Sequence, residues 1–143
     1  MSLREHVVVD RVIDGDTVHL KDGRKIRFHG IDAPETHPRV QRMGPDAKEL
    51  VDEALKKTNY AAELEVDGAD RYGRVVGTLF ANQKDLNLML LESGLAWTLV
   101  QYIRTKEKAD RYLAAERAAK NAKKGLWSLD DPISPSAFRR LRS

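Results

Sequence analysis

Three short stretches suited to β-structure crowd into the beginning of the chain, and the connection between the second and third is spelled out. His6 to Ile13 is rich in valine, and Thr17-Val18-His19-Leu20 alternates polar and apolar residues. Lys21-Asp22-Gly23-Arg24 then supplies the Asp-Gly pair that closes a tight hairpin. Lys25 to Gly30 alternates again, Ile26 and Phe28 to one side and Arg27 and His29 to the other. A chain that starts this way must bury one face of a small antiparallel sheet, and its remaining segments have to cover that face.

Asp46 to Lys57 carries Ala47, Leu50, Val51, Ala54 and Leu55 as one stripe of an amphipathic helix. Ala62 to Val66 and Arg74 to Phe80 read as two further strands, with turn signals at Asp67-Gly68-Ala69-Asp70 and Tyr72-Gly73. Leu86 to Glu92 reads as a short apolar helix stopped by Gly94 as a left-handed cap. Leu95 to Val100 fits either a strand or an extended connection. Thr105 caps a long helix reaching Lys124, with Ala109, Tyr112, Ala115, Ala119 and Ala122 inward. Pro132 and Pro135 break the remainder into a tail. Five strands, with a helix between the third and fourth and a first strand that must bend, fit a Greek-key barrel of the OB type plus three α-helices. The expected organisation is one domain over residues 1–128 and a basic tail over 129–143, its Arg139-Arg140-Leu141-Arg142 end disordered and solvated.

Composition narrows the chemistry. Among 143 residues there is no cysteine, which removes disulfides, thiolate metal sites and cysteine nucleophiles. Any metal must therefore be held by oxygen or imidazole. No apolar run approaches the ~20 residues of a membrane span. The net charge of +3 conceals a basic final segment, with 11 basic and 5 acidic side chains in residues 101–143. That asymmetry suits a polyanionic partner and equally a solvated basic helix. The opening Met1-Ser2-Leu3-Arg4-Glu5 lacks a signal-peptide core. An exported compartment (secreted or periplasmic) and a cytoplasmic one are both compatible with the chain.

Acids and arginines gather where the strands end. Asp14-Gly15-Asp16-Thr17 sets two carboxylates around a glycine, serving either as a turn or as oxygen ligands for a hard cation. Arg27 lies mid-strand, away from Ile26 and Phe28. In Gly30-Ile31-Asp32-Ala33-Pro34-Glu35 the proline holds Ala33 extended and fixes the direction of its carbonyl beside Asp32. Asp70-Arg71-Tyr72-Gly73-Arg74 forms a turn entering a strand. Each cluster has a plain structural explanation by itself. His6, His19, His29 and His37 lack a metal-ligand spacing, and Trp97 and Trp127 read as packing residues.

Taken together, Asp-Gly-Asp-Thr, then Arg-Phe-x-Gly-Ile-Asp-x-Pro-Glu, then Asp-Arg-Tyr-Gly-Arg resemble the thermonuclease, or staphylococcal nuclease-like, family. The resemblance runs from about Val8 to Trp127 and includes Gly94-Leu95-Ala96 and Gly125-Leu126-Trp127. It implies calcium ligands at Asp16, Asp32 and the carbonyl of Ala33, and a catalytic trio of Arg27, Glu35 and Arg74. It implies supporting parts for Asp14 and Thr17, and substrate contacts for Arg71, Tyr72 and Tyr102. Better-known members carry Thr where this chain has Ala33, and a second tyrosine where it has Val100. The implied activity is a monomeric, Ca²⁺-dependent endonuclease hydrolysing DNA and RNA with little sequence preference, single strands favoured, leaving 3′-phosphates. The competing expectation is an OB-fold module that binds nucleic acid without cutting it. Retention of Asp16, Arg27, Asp32, Glu35 and Arg74 favours the enzyme.

Overall fold

The computed structural model describes residues 3–141, so Arg142 of the basic tail lies outside the described residues. The wall is built by β1 (Arg4–Asp14), β2 (Thr17–Leu20), β3 (Lys25–Phe28), β5 (Ala61–Ala69) and β6 (Val75–Ala81). Three two-residue strands, β4 (Ile31–Asp32), β7 (Lys84–Asp85) and β8 (Trp97–Thr98), decorate it. Helices α1 (Gly44–Lys56), α2 (Leu86–Glu92), α3 (Lys106–Asn121) and α4 (Pro135–Arg140) complete the chain.

β1 explains the closure. Its first half pairs with β5 and its second half with β2, with register shifts between Val9 and Arg11 and between Val12 and Asp14. Such bulges bend a strand enough for it to serve two faces. β3 then runs parallel to β6, Arg27 opposite Val76, and this seam closes a five-stranded barrel of the expected OB-like kind. Val9, Val18, Ile26, Phe28, Leu64 and Leu79 fill it, covered by Ala47, Val51 and Leu55 of α1 and Leu86, Leu90 and Leu91 of α2. Asp85 caps α2 by accepting from the Leu88 N–H at 2.9 Å, and its other oxygen receives the buried Tyr112 hydroxyl at 2.8 Å. That pair ties α3 to α2.

The closing seam depends on a buried side chain of α2. Asn87 accepts from Leu79 N–H (3.3 Å) and donates to the carbonyls of His29 (3.0 Å) and Gly77 (3.2 Å). Replacing it with leucine preserves bulk but strands a buried donor and a buried acceptor. Each such group costs about 1–3 kcal/mol, so Asn87→Leu is expected to lose about 3 kcal/mol in denaturant titration.

Three local expectations are corrected. Asp67-Gly68-Ala69 is strand, because a register shift between Val66 and Gly68 leaves Asp67 as the unpaired bulge residue and pairs Gly68 with Val76. Ala122 lies past the end of α3 and is exposed. The tail, expected to be disordered, contains α4: Ser134 caps it through the Ala137 N–H at 3.3 Å, and Pro135 occupies its first turn. Pro135 is therefore a helix initiator, its missing N–H falling where none is needed. The guanidinium of Arg39 holds α4 in place, donating to the carbonyls of Phe138 and Leu141, both at 2.9 Å.

Candidate active site

The turn Asp14–Thr17 joins β1 to β2 and packs on α1. A Cβ on Gly15 would stand 2.7 Å from that of Ala47, so only glycine allows the turn to sit so close. Beyond it, Asp16 becomes the hub of the site. One carboxylate oxygen accepts the Ala33 N–H at 2.7 Å and lies 3.2 Å from Arg27 Nη1. The other accepts the Thr17 hydroxyl at 2.9 Å. Asp16 thereby fixes the main chain at Ala33, whose carbonyl direction Pro34 also constrains.

Arg27 projects from β3 on the face opposite the buried Ile26 and Phe28, as alternation requires. Its Nη2 reaches Asp32 at 3.1 Å, and its Nη1 donates to the Phe28 carbonyl at 3.1 Å. Burial, reinforced by the charge of Asp16, pushes the Asp32 carboxyl up to about 6, although Arg27 and Arg139 pull the other way. Two acids thus stand on either side of the Arg27 guanidinium in a largely buried setting.

Glu35 stands on the loop after β4. Gln41 grips its main chain from both sides, its side-chain oxygen taking the Glu35 N–H at 3.1 Å and its own N–H donating to the Glu35 carbonyl at 2.8 Å. Asp14 holds the next residue, accepting the Thr36 N–H at 2.6 Å. A Cβ on Gly44 would come within 2.2 Å of the Glu35 carbonyl oxygen, so glycine at the start of α1 is a condition of this loop path.

Arg74 reaches the same face by register. Since Arg27 lies opposite Val76, a residue two positions earlier on β6's approach points the same way. Asp70 accepts the Arg74 N–H (3.0 Å) and its Nε (2.7 Å), leaving the outer edge of the fork directed away from that carboxylate. Hydrogen bonds from Arg74 and Tyr72 outweigh a burial penalty and hold the Asp70 carboxyl below its ordinary value. Arg71 donates to the Tyr72 hydroxyl at 2.9 Å, and both Arg71 and Arg74 lie over the Tyr72 ring. Tyr72 and Tyr102 are 66% and 63% exposed, two aromatic rings open to solvent. Tyr102 is set by His29: the Lys108 ammonium donates to Nδ1 at 2.8 Å, so Nε2 carries the proton and donates to the Tyr102 carbonyl at 3.0 Å. Burial first, and Lys108 second, keep His29 below the usual histidine range.

The structure therefore brings Asp16, Arg27, Asp32 and Ala33 into direct contact, with Glu35 and Arg139 close enough to act on Asp32 electrostatically. Arg74, Arg71 and Tyr72 cluster with Asp70 at the turn before β6, and Tyr102 is near enough to Arg71 to act on its charge. Among the described residues, no three acidic or histidine side chains could hold an ion by themselves. Sequence reasoning missed Gln41, Asp70 and Arg139 as site residues. Asp70 had a local signal in its position four residues before Arg74; Gln41 and Arg139 had none.

A barrel whose seam carries an arginine between two acids, with a third acid on the adjoining loop, defines an OB-fold protein with a charged site at its closing seam. The profile described as staphylococcal nuclease homologue matches residues 25–129, more than half the chain. An uncharacterized endonuclease of Escherichia coli is 35% identical over 96% of this chain and 86% of its own length. Endonuclease YhcR of Bacillus subtilis is 32% identical over 92% of this chain, which spans only 12% of that longer protein. Staphylococcal-like nuclease CAN1 of Arabidopsis thaliana is 36% identical over 81% of the chain and 33% of the relative. The chain belongs to the staphylococcal nuclease family.

Proposed function

We propose that this protein is a calcium-dependent endonuclease that hydrolyses phosphodiester bonds of DNA and RNA, leaves 3′-phosphate ends and acts as a monomer. The observation that carries the reading is the contact set Asp16–Arg27–Asp32, with the Ala33 main chain locked to Asp16 and Glu35 alongside.

The residues fit a calcium ion by their chemistry. Asp16, Asp32 and the Ala33 carbonyl are hard oxygen donors, and water can supply the remaining ligands. When bound, the ion neutralises phosphate charge and lowers the pKa of coordinated water. Arg27 and Arg74 grip non-bridging phosphate oxygens through paired N–H donors, more tightly as charge accumulates in the transition state. Glu35 accepts the proton of the attacking water. The open rings of Tyr72 and Tyr102 offer stacking platforms indifferent to base identity, which supports weak sequence preference and a bias towards single strands. A duplex keeps its bases stacked on one another instead.

Incubation with denatured DNA, and separately with RNA, in Ca²⁺ with and without chelator tests the reading. The expected result is cleavage that the chelator abolishes, with products whose 3′ ends accept ligation only after phosphatase treatment. Retarded but intact nucleic acid would instead identify a binding module. Arg74→Lys isolates the clamp. Asp70 orients a planar fork that an ammonium cannot reproduce, so a loss in kcat of about 10²–10³ is expected in steady-state assays.

A further inference from the structure

The basic end of the chain reaches into the site. The guanidinium of Arg139, on α4, donates through Nη1 to Glu35 Oε1. The charges of Glu35, Asp32 and Asp16 all act on it, and against the cost of partial burial they hold it more firmly protonated. Asp32 feels that charge in return. Arg139 thus faces the three acids of the site together. α4 itself is anchored elsewhere: Arg39 holds two of its carbonyls and lies over the Phe138 ring, and Gln41 Nε2 donates to the Ile133 carbonyl at 2.6 Å. Because Gln41 also grips Glu35, the tail and the loop bearing Glu35 share one support.

Resting on the nuclease reading above, we infer that Arg139 is a third substrate-gripping guanidinium, which leaves Glu35 for the phosphate when nucleic acid binds. The Glu35 side chain is only 12% exposed beneath this contact, whereas that of Arg139 is 54% exposed and can swing while α4 stays anchored. A phosphate held by Arg27 offers Arg139 two oxygens in the spacing of its own fork, against the single carboxylate oxygen it holds in the free protein. The transfer has a second effect. Glu35 Oε1 becomes free to take the proton of the attacking water only after a phosphate has claimed the arginine. No proton moves in the exchange, since the guanidinium stays charged throughout.

Isothermal titration of a nucleoside 3′,5′-bisphosphate in Ca²⁺, beside steady-state cleavage of a short single-stranded DNA, tests this on the full chain. Arg139→Ala is expected to weaken bisphosphate binding about tenfold and to raise KM by a similar factor, with kcat within about threefold of the parent. Arg139→Lys should recover part of the loss. Arg117→Ala, which removes one exposed charge from α3, should change neither. Binding by Arg139→Ala that equals or exceeds the parent overturns the inference, because it makes Arg139 a bystander or a plug over Glu35. Equal weakening by Arg117→Ala overturns it too, by reducing the effect to net charge. A parent protein that neither cuts nor binds the bisphosphate refutes the nuclease reading itself, a failure distinguishable from the other two.

Discussion

Glu35→Gln is expected to lower kcat on single-stranded DNA by about 10²–10⁴ while leaving KM within about threefold of the parent. The size comes from the group that the substitution removes. Glutamine preserves the length and planarity of the side chain, so the Gln41 grip on the main chain and the close approach of Gly44 are undisturbed. An amide oxygen still accepts a hydrogen bond from Arg139, so the tail stays docked. The capacity to take a proton is lost together with one negative charge beside Asp32 and Arg139, and the lost proton transfer corresponds to about 2.7–5.4 kcal/mol of transition-state stabilisation. Stopped-time assays over a substrate series separate the two constants. A kcat within threefold of the parent would show that Glu35 does not accept the proton.

The residues of this site were legible in the sequence because they lie at strand ends, where local rules hold. The hairpin at Asp22-Gly23 fixes the register of β2 against β3, placing Arg27 opposite Thr17 beside Asp16. The proline after Ala33 fixes a carbonyl, and the turn before Arg74 supplies Asp70 as its partner. Misreadings arose where local chemistry had two outcomes. Gly68 carries the signal of a turn and lies in a strand, since Asp67 bulges out and pairing of β5 with β6 resumes at Gly68 opposite Val76. Pro135 reads as a breaker when only its ring is considered and as an initiator once Ser134 is seen as its cap. The docking of Arg139 on Glu35 spans 104 positions of sequence. No periodicity or spacing encodes such a contact, which depends on where the barrel brings these distant segments together.

The other large effect concerns metal affinity. Asp16→Asn is expected to weaken Ca²⁺ binding by at least about 100-fold, because even partners standing behind a ligand cost about 10–100-fold when removed. The substitution removes one unit of negative charge and replaces one acceptor oxygen by a donor NH₂. Asp16 Oδ2 receives the Ala33 N–H at 2.7 Å and stands 3.2 Å from Arg27, while Oδ1 receives the Thr17 hydroxyl at 2.9 Å. An asparagine presents an NH₂ on one of those sides and so sets donor against donor: towards Ala33 and Arg27, or towards Thr17. Rotating the amide to spare Ala33 turns the NH₂ towards Thr17, whose hydroxyl can reverse and accept. The favoured rotamer therefore keeps the Ala33 main chain in place, and the fold survives. With that geometry preserved, the lost affinity reports the ligand charge and not a collapsed loop. Calorimetric titration with Ca²⁺ measures the loss directly. Thermal melting provides an independent reading, since a ligand bound only by the folded state raises the melting temperature as its concentration exceeds Kd. The parent should melt higher in millimolar Ca²⁺ than in chelator, and Asp16→Asn should melt at the same temperature in both. An undiminished calcium shift in that variant would place the ion away from the Asp16–Asp32 pair and remove the ground for the proposed mechanism.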